Sequence, residues 1–203
     1  MTKKLLIVFI ILAITFLSAR NLGICTKVKG NILRQGSVRD GYVRRGDSIY
    51  HGDKIITDGS GFMSFAFMDN EAVVSVLNNS VIRIFGDDKI SEDEIDIALF
   101  GGKVIIDMQN TISKKLILDA PSTQIIANSG YFVCEYNNDI LFDNFSYSIV
   151  TVLKGKAEIL NTTSGSSIYM SQGETIVSTL GGKFLELEAV NSGTLIENTL
   201  RAE

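Results

Sequence analysis

The feature that most constrains this chain is a doubled corner. Gly46-Asp47-Ser48-Ile49 and Gly52-Asp53-Lys54-Ile55 repeat a Gly-Asp-x-Ile unit six residues apart. Glycine enters positive φ freely and a short carboxylate bonds nearby backbone N–H groups, so each unit marks a tight reversal. Beyond them, Met63, Phe65 and Phe67 share one parity, while Ser64, Ala66 and Met68 share the other. That two-residue period belongs to a half-buried strand. Asp69-Asn70 predicts a tight hairpin, and a second strand-like run follows it toward Ile84. The stretch 46–84 reads as an all-β module with a fixed turn pattern. Its Gly-Asp pairs are fold-setting corners, with no metal or phosphate site expected there.

The rest of the composition agrees. The chain has 203 residues, 45% hydrophobic and 21% charged, with 18 glycines and one proline. That suits one globular domain built from short strands and turns. A net charge of −4 gives no basic footprint, so neither nucleic acid nor an anionic lipid surface is an expected partner.

Residues 1–19 form a separate unit. Lys3 and Lys4 precede an apolar run from Leu5 to Leu17, closed by Ser18-Ala19. The run is short for a bilayer-spanning helix and fits a signal peptide, so cleavage after Ala19 is expected. An uncleaved anchor, touching the membrane only through residues 5–19, is the alternative. Either way residues 20–190 form the domain outside, in the periplasm or cell envelope, and 191–203 a polar C-terminal tail. Export brings a Cys25–Cys134 disulfide into consideration, with two buried thiols as the alternative. Closing that loop would stabilise by roughly 4–5 kcal/mol in the chain-entropy model.

Between residues 34 and 45 lie Arg34, Arg39, Arg44 and Arg45, read as loop charges with an anion patch as the sharper alternative. The run from Gly86 to Asp96 carries six acids in eleven residues, but it lacks the register of a calcium loop and reads as a solvated acidic segment. The second half alternates short apolar runs with turns, Pro121 and Asn137-Asn138-Asp139 among them. One internal echo recurs. Val28-Lys29-Gly30 resembles Leu153-Lys154-Gly155 and, more loosely, Phe100-Gly101-Gly102. Gly-acid corners follow at Gly52-Asp53 and Gly173-Glu174. Strand-and-corner units used again suggest coils around one core. The expected fold is therefore a rolled, solenoid-like β domain after an N-terminal apolar helix, with a twisted β-sandwich as the alternative.

The order of these signals resembles the FecR domain family, the periplasmic part of iron-dicitrate-type sensor regulators. The matching positions are Val28-Lys29-Gly30-Asn31-Ile32, then Gly46-Asp47, Gly52-Asp53 and Thr57, then the hairpin at Asp69-Asn70. Gly102-Lys103-Val104, Ala120-Pro121, Ser129-Gly130-Tyr131-Phe132-Val133, Val152 to Gly155 and Gly173-Glu174 complete the set, which covers roughly 28–180. Ser129-Gly130 and Asp69-Asn70 depart from the family's Gly-Thr and Asp-Gly pairs by exchanges of turn chemistry. Only Met1 to Lys4 precede the apolar run, where those regulators carry a cytoplasmic anti-sigma segment. The resemblance thus implies the exported recognition module alone.

Function follows from that resemblance and from the residues. His51 is the sole histidine, and neither Gly-x-Ser-x-Gly nor His-Glu-x-x-His occurs. No enzyme, catalytic residue, metal site or cofactor is expected. The expected role is a non-catalytic protein-binding module in envelope signalling or assembly, its partner an envelope protein. A carbohydrate- or matrix-binding structural domain is the alternative. Arg39, Arg44, Arg45 and His51 are the expected contact face.

Overall fold

The computed structural model describes residues 21–36, 38–68, 72–86, 94–108, 115–137 and 146–186. The leader, the tail, the Asp69-Asn70 turn and residues 87–93 of the acidic run lie outside them. The described chain is all-β. Its first eight strands are β1 (Asn21–Lys29), β2 (Ile32–Gln35), β3 (Gly41–Tyr42), β4 (Ser48–Tyr50), β5 (Lys54–Thr57), β6 (Phe62–Phe67), β7 (Ala72–Val76) and β8 (Val81–Gly86). The other eight are β9 (Glu94–Met108), β10 (Lys115–Ala120), β11 (Thr123–Ala127), β12 (Gly130–Asn137), β13 (Tyr147–Asn161), β14 (Ser167–Ser171), β15 (Thr175–Thr179) and β16 (Phe184–Glu186).

Two rolls share β9. In the second roll β9, β10, β11, β13 and β12 pair in a closed ring, with β9 and β10 parallel and the other four pairings antiparallel. In the first roll one path runs β9–β8–β5–β2 and the other β9–β7–β6–β1. It closes because β1 continues into β2 through Gly30-Asn31. The rolled form expected from the echoes is what the chain adopts.

The echoes themselves mark the points where long strands change sheets. β1 pairs with β4 and β6, whereas β2 pairs with β3 and β5. β9 up to Gly101 pairs with β8 and β10, then from Gly102 onward with β7 and β12. β13 crosses in the same way near Gly155. Gly30, Gly102 and Gly155 have φ of 71°, 82° and 86°, a bend that a side chain would resist. Each is also packed against a turn: a Cβ would meet Ser60 O at Gly30, Asn79 O at Gly102 and Ser129 O at Gly155.

The core lies inside both rolls. Met63, Phe65 and Phe67 all point into it, as their shared parity requires, and β6 pairs with β7 from Ala66↔Val73 to Met63↔Val76. Of the two readings of the cysteines, the structure has the buried thiols and not the disulfide. Cys25 and Cys134 are both buried free thiols, on β1 and β12, with β6, β7 and β9 between them. Four strand steps are about 19 Å along the sheet, against the roughly 7 Å between Cα atoms that a bridge tolerates.

Candidate contact site

The three Gly-acid units form one structure built three times. In Arg44-Arg45-Gly46-Asp47, Tyr50-His51-Gly52-Asp53 and Ser171-Gln172-Gly173-Glu174 the acid N–H donates to the carbonyl three residues back, at 3.0, 3.1 and 3.2 Å. Each glycine has φ between 81° and 88°, which makes these type II turns. The acid side chain folds back to accept the N–H of the turn's first residue, at 2.9 Å for Asp47, 2.9 Å for Asp53 and 2.6 Å for Glu174. Each corner then clasps one strand residue from both sides. Gly46 N–H donates to Cys25 O while Cys25 N–H donates to Asp47 O, and the same exchange joins the second corner to Ile84 and the third to Val152. Each carboxylate gives one oxygen to the backbone of its own turn, which makes the corners structural.

Asp53 has a second role. It is fully buried beside Arg34, whose Nη1 lies 3.8 Å from Asp53 Oδ2 and donates to Ser48 O at 2.8 Å. Arg34, read from the sequence as a loop charge, is therefore a core residue. Its Nε and Asp53 Oδ1 have no hydrogen-bond partner, and burial pushes the Asp53 carboxyl up. The register explains the surprise: Ile32 and Arg34 face inward on β2, while Leu33 and Gln35 face out.

The expected contact face divides. Arg44 and Arg45 are exposed on the first corner, which is docked on β1. Arg39 is also exposed and pairs with Asp47 at 3.4 Å, a surface contact worth little. His51 sits on the second corner, which is docked on β8, and its ring meets Phe85 edge-on at 6.1 Å. The arginines cluster, and His51 belongs to a different corner.

Sequence reasoning missed a stronger surface. Tyr42, Leu33, Ile56 and Val81 pair across four neighbouring strands, with Val81 opposite Gly101 at the bulge that turns Phe100 outward. All five point away from the core. Tyr42 is 65%, Phe100 51% and Leu33 36% exposed, while Ile56 and Val81 are half-buried. The only sequence signal was the alternation within single strands; their alignment needs the register. The opposite sheet differs. Its outward residues Ser64, Ser75, Ile105, Val133 and Thr151 also align across strands, yet all are buried.

The stripe ends beside a cleft of about 410 Å³, lined by Asn78, Asn79, Gly101, Gly102, Lys103 and Glu135 among others. Within its lining Lys103 Nζ and Glu135 Oε2, opposite each other on β9 and β12, pair at 2.6 Å. Ser80 Oγ accepts Lys103 N–H at 2.8 Å and donates to Lys103 O at 3.1 Å, which holds the wall in place. Among the described residues no group of three or more metal-binding side chains comes together.

No family model and no curated protein matches the chain. Solved structures do, among them two described as a putative anti-sigma factor from Parabacteroides distasonis ATCC 8503. They align with a TM-score of 0.55 each, at 16% and 17% identity. The alignments cover 70% of this chain and 64% and 63% of those chains, so the chain spans less than two thirds of their length. At that identity the shared property is the fold.

Proposed function

We propose that this chain is an exported, non-catalytic FecR-like module that binds a protein partner in envelope signalling or assembly. The observation that carries the reading is the apolar stripe from Tyr42 to Phe100, which stays exposed in a chain with ample core to bury it. Contiguous exposed apolar surface marks interaction sites. The ordered FecR-type signals, and a fold shared with structures described as anti-sigma factors, support a regulatory context. A cleft lined by Asn78, Asn79 and Asn137 beside Lys103 and Glu135 favours a second reading, binding of a glycan, since amide and charged side chains bond sugar hydroxyls.

The full chain, immobilised and exposed to envelope extract, separates the two. A stoichiometric complex that re-forms from the purified partner and chain is expected. Retention on cell-wall glycan, with no protein recovered, would overturn the first reading in favour of the second.

A further inference from the structure

We infer that the stripe Tyr42–Leu33–Ile56–Val81–Phe100 is the docking line for an extended, acidic segment of the partner protein, with apolar and acidic residues in alternation. This rests on the reading of the chain as a protein-binding module. It adds which surface binds and what chemistry the ligand carries.

The stripe supplies the apolar half of the argument. It crosses the strands nearly at right angles, and its four strand steps extend for about 19 Å. An extended chain covers that distance in roughly six residues, setting about three side chains against the stripe. The surface is the outer face of a closed roll and is therefore convex. A straight helix laid across it would touch the crest alone, whereas an extended chain bends with the surface.

The charges supply the other half. One outward row away from the stripe, Lys54 and Arg83 stand directly opposite each other on β5 and β8. Like charges in that position destabilise a sheet. Neither makes an ion pair among the described residues, and their flanking row partners are Gln35 and Ala98, both uncharged. Arg44 and Arg45 lie two and three residues beyond Tyr42, exposed and likewise without an ion pair among the described residues. The apolar line is thus bordered by cations with no ion pair among the described residues, and carboxylates alternating with apolar side chains would supply both needs at once. β3 adds a free edge, since its two residues pair with β2 alone.

The probe is a fluorescent eight-residue peptide alternating phenylalanine or valine with aspartate, titrated by anisotropy against the full chain beside its lysine counterpart. The aspartate peptide is expected to bind and the lysine peptide to bind at least tenfold more weakly. Leu33→Ser with Val81→Ser should lower aspartate-peptide affinity at least tenfold, and Lys54→Glu with Arg83→Glu should reverse the preference. These positions face out, so an unchanged melting temperature certifies each variant as folded. Equal binding of both peptides, or unchanged affinity in the stripe variants, overturns the inference. So does a stripe-dependent dimer in sedimentation, which would make a second copy the occupant. A protein partner that binds the stripe variants as well as the parent leaves the module reading intact while removing this site.

Discussion

Two corners of this molecule share a turn and its clasp and differ in where the acid side chain lies. Tyr50-His51-Gly52-Asp53 and Ser171-Gln172-Gly173-Glu174 have the same glycine conformation, the same carboxylate folded onto the first residue and the same clasp on a strand. Asp53 is sealed against Arg34 in the core, while Glu174 is open to water. The strand after each corner repeats the pattern, since Thr57 and Ser178 stand five residues past the glycine and both are buried. Thr57 Oγ1 accepts Ser80 N–H and Ser178 Oγ donates to Ser122 O, so each roll is tied by a buried hydroxyl. Turn geometry is thus a local property of Gly-acid sequences. What a corner is worth depends on its neighbours.

The sharpest way to break the comparison is to delete the two acids. Asp53→Ala leaves the Arg34 charge buried and uncompensated, and should cost about 3–5 kcal/mol in urea unfolding. Glu174→Ala removes one solvent-exposed bond to backbone and should cost about 1 kcal/mol. Equal losses would mean that burial of the Arg34 pair contributes nothing.

A smaller effect separates two kinds of glycine. Gly102→Ala would place its Cβ against Ser80 Oγ and only 2.5 Å from Asn79 O, besides holding alanine at φ 82°. Strain and overpacking together predict about 2–4 kcal/mol of lost stability. At Gly173 a Cβ would meet nothing within 4 Å, so Gly173→Ala carries the conformational term alone, about 1 kcal/mol. The same unfolding measurement decides, and matching values would show that the turn against Gly102 gives way.

The smallest effect is one of pH, and it contrasts Asp96 on β9 with Asp58 in the turn after β5. Burial, then Asp119 and Glu94 nearby, push the Asp96 carboxyl from 3.8 up to about 6. Between those values the folded chain holds a proton that the unfolded chain has released, so stability falls as pH rises from about 4 to about 6. Ser60 N–H holds the Asp58 carboxyl below 3.8, so its contribution is present above that pH and lost on acidification. Asp96→Asn should therefore flatten the stability profile between pH 4 and 6 and raise stability at neutral pH. Asp58→Asn should lower it there. A profile unchanged by Asp96→Asn would sink the assignment.

Much of the fold was legible because its devices are local. The corners, the inward parity of Met63, Phe65 and Phe67, and the Pro121 turn between β10 and β11 each depend on a few consecutive residues. The echoes at Gly30, Gly102 and Gly155 were visible too, although only the pairing shows that each is a strand changing sheets. What was not legible depends on register. Arg34 falls inward because Ile32 does, and no property of an arginine announces that. The stripe is assembled from β2, β3, β5, β8 and β9, whose alignment comes from pairings between distant segments. Of the expected contact face, the three arginines are exposed at the first corner, and His51 stands on the second.

The shared strand has a consequence for how this chain comes apart. β9 is wall to both rolls, its first half closing with β8 and β10 and its second with β7 and β12. There is no seam at which either roll could be excised with its hydrogen bonding complete. Cutting before β9 strips the first roll of its closing wall, and cutting after it opens the second. The two rolls are geometrically distinct, yet the strand they share predicts that they unfold together, a disturbance that frays either one reaching the other through a single continuous backbone.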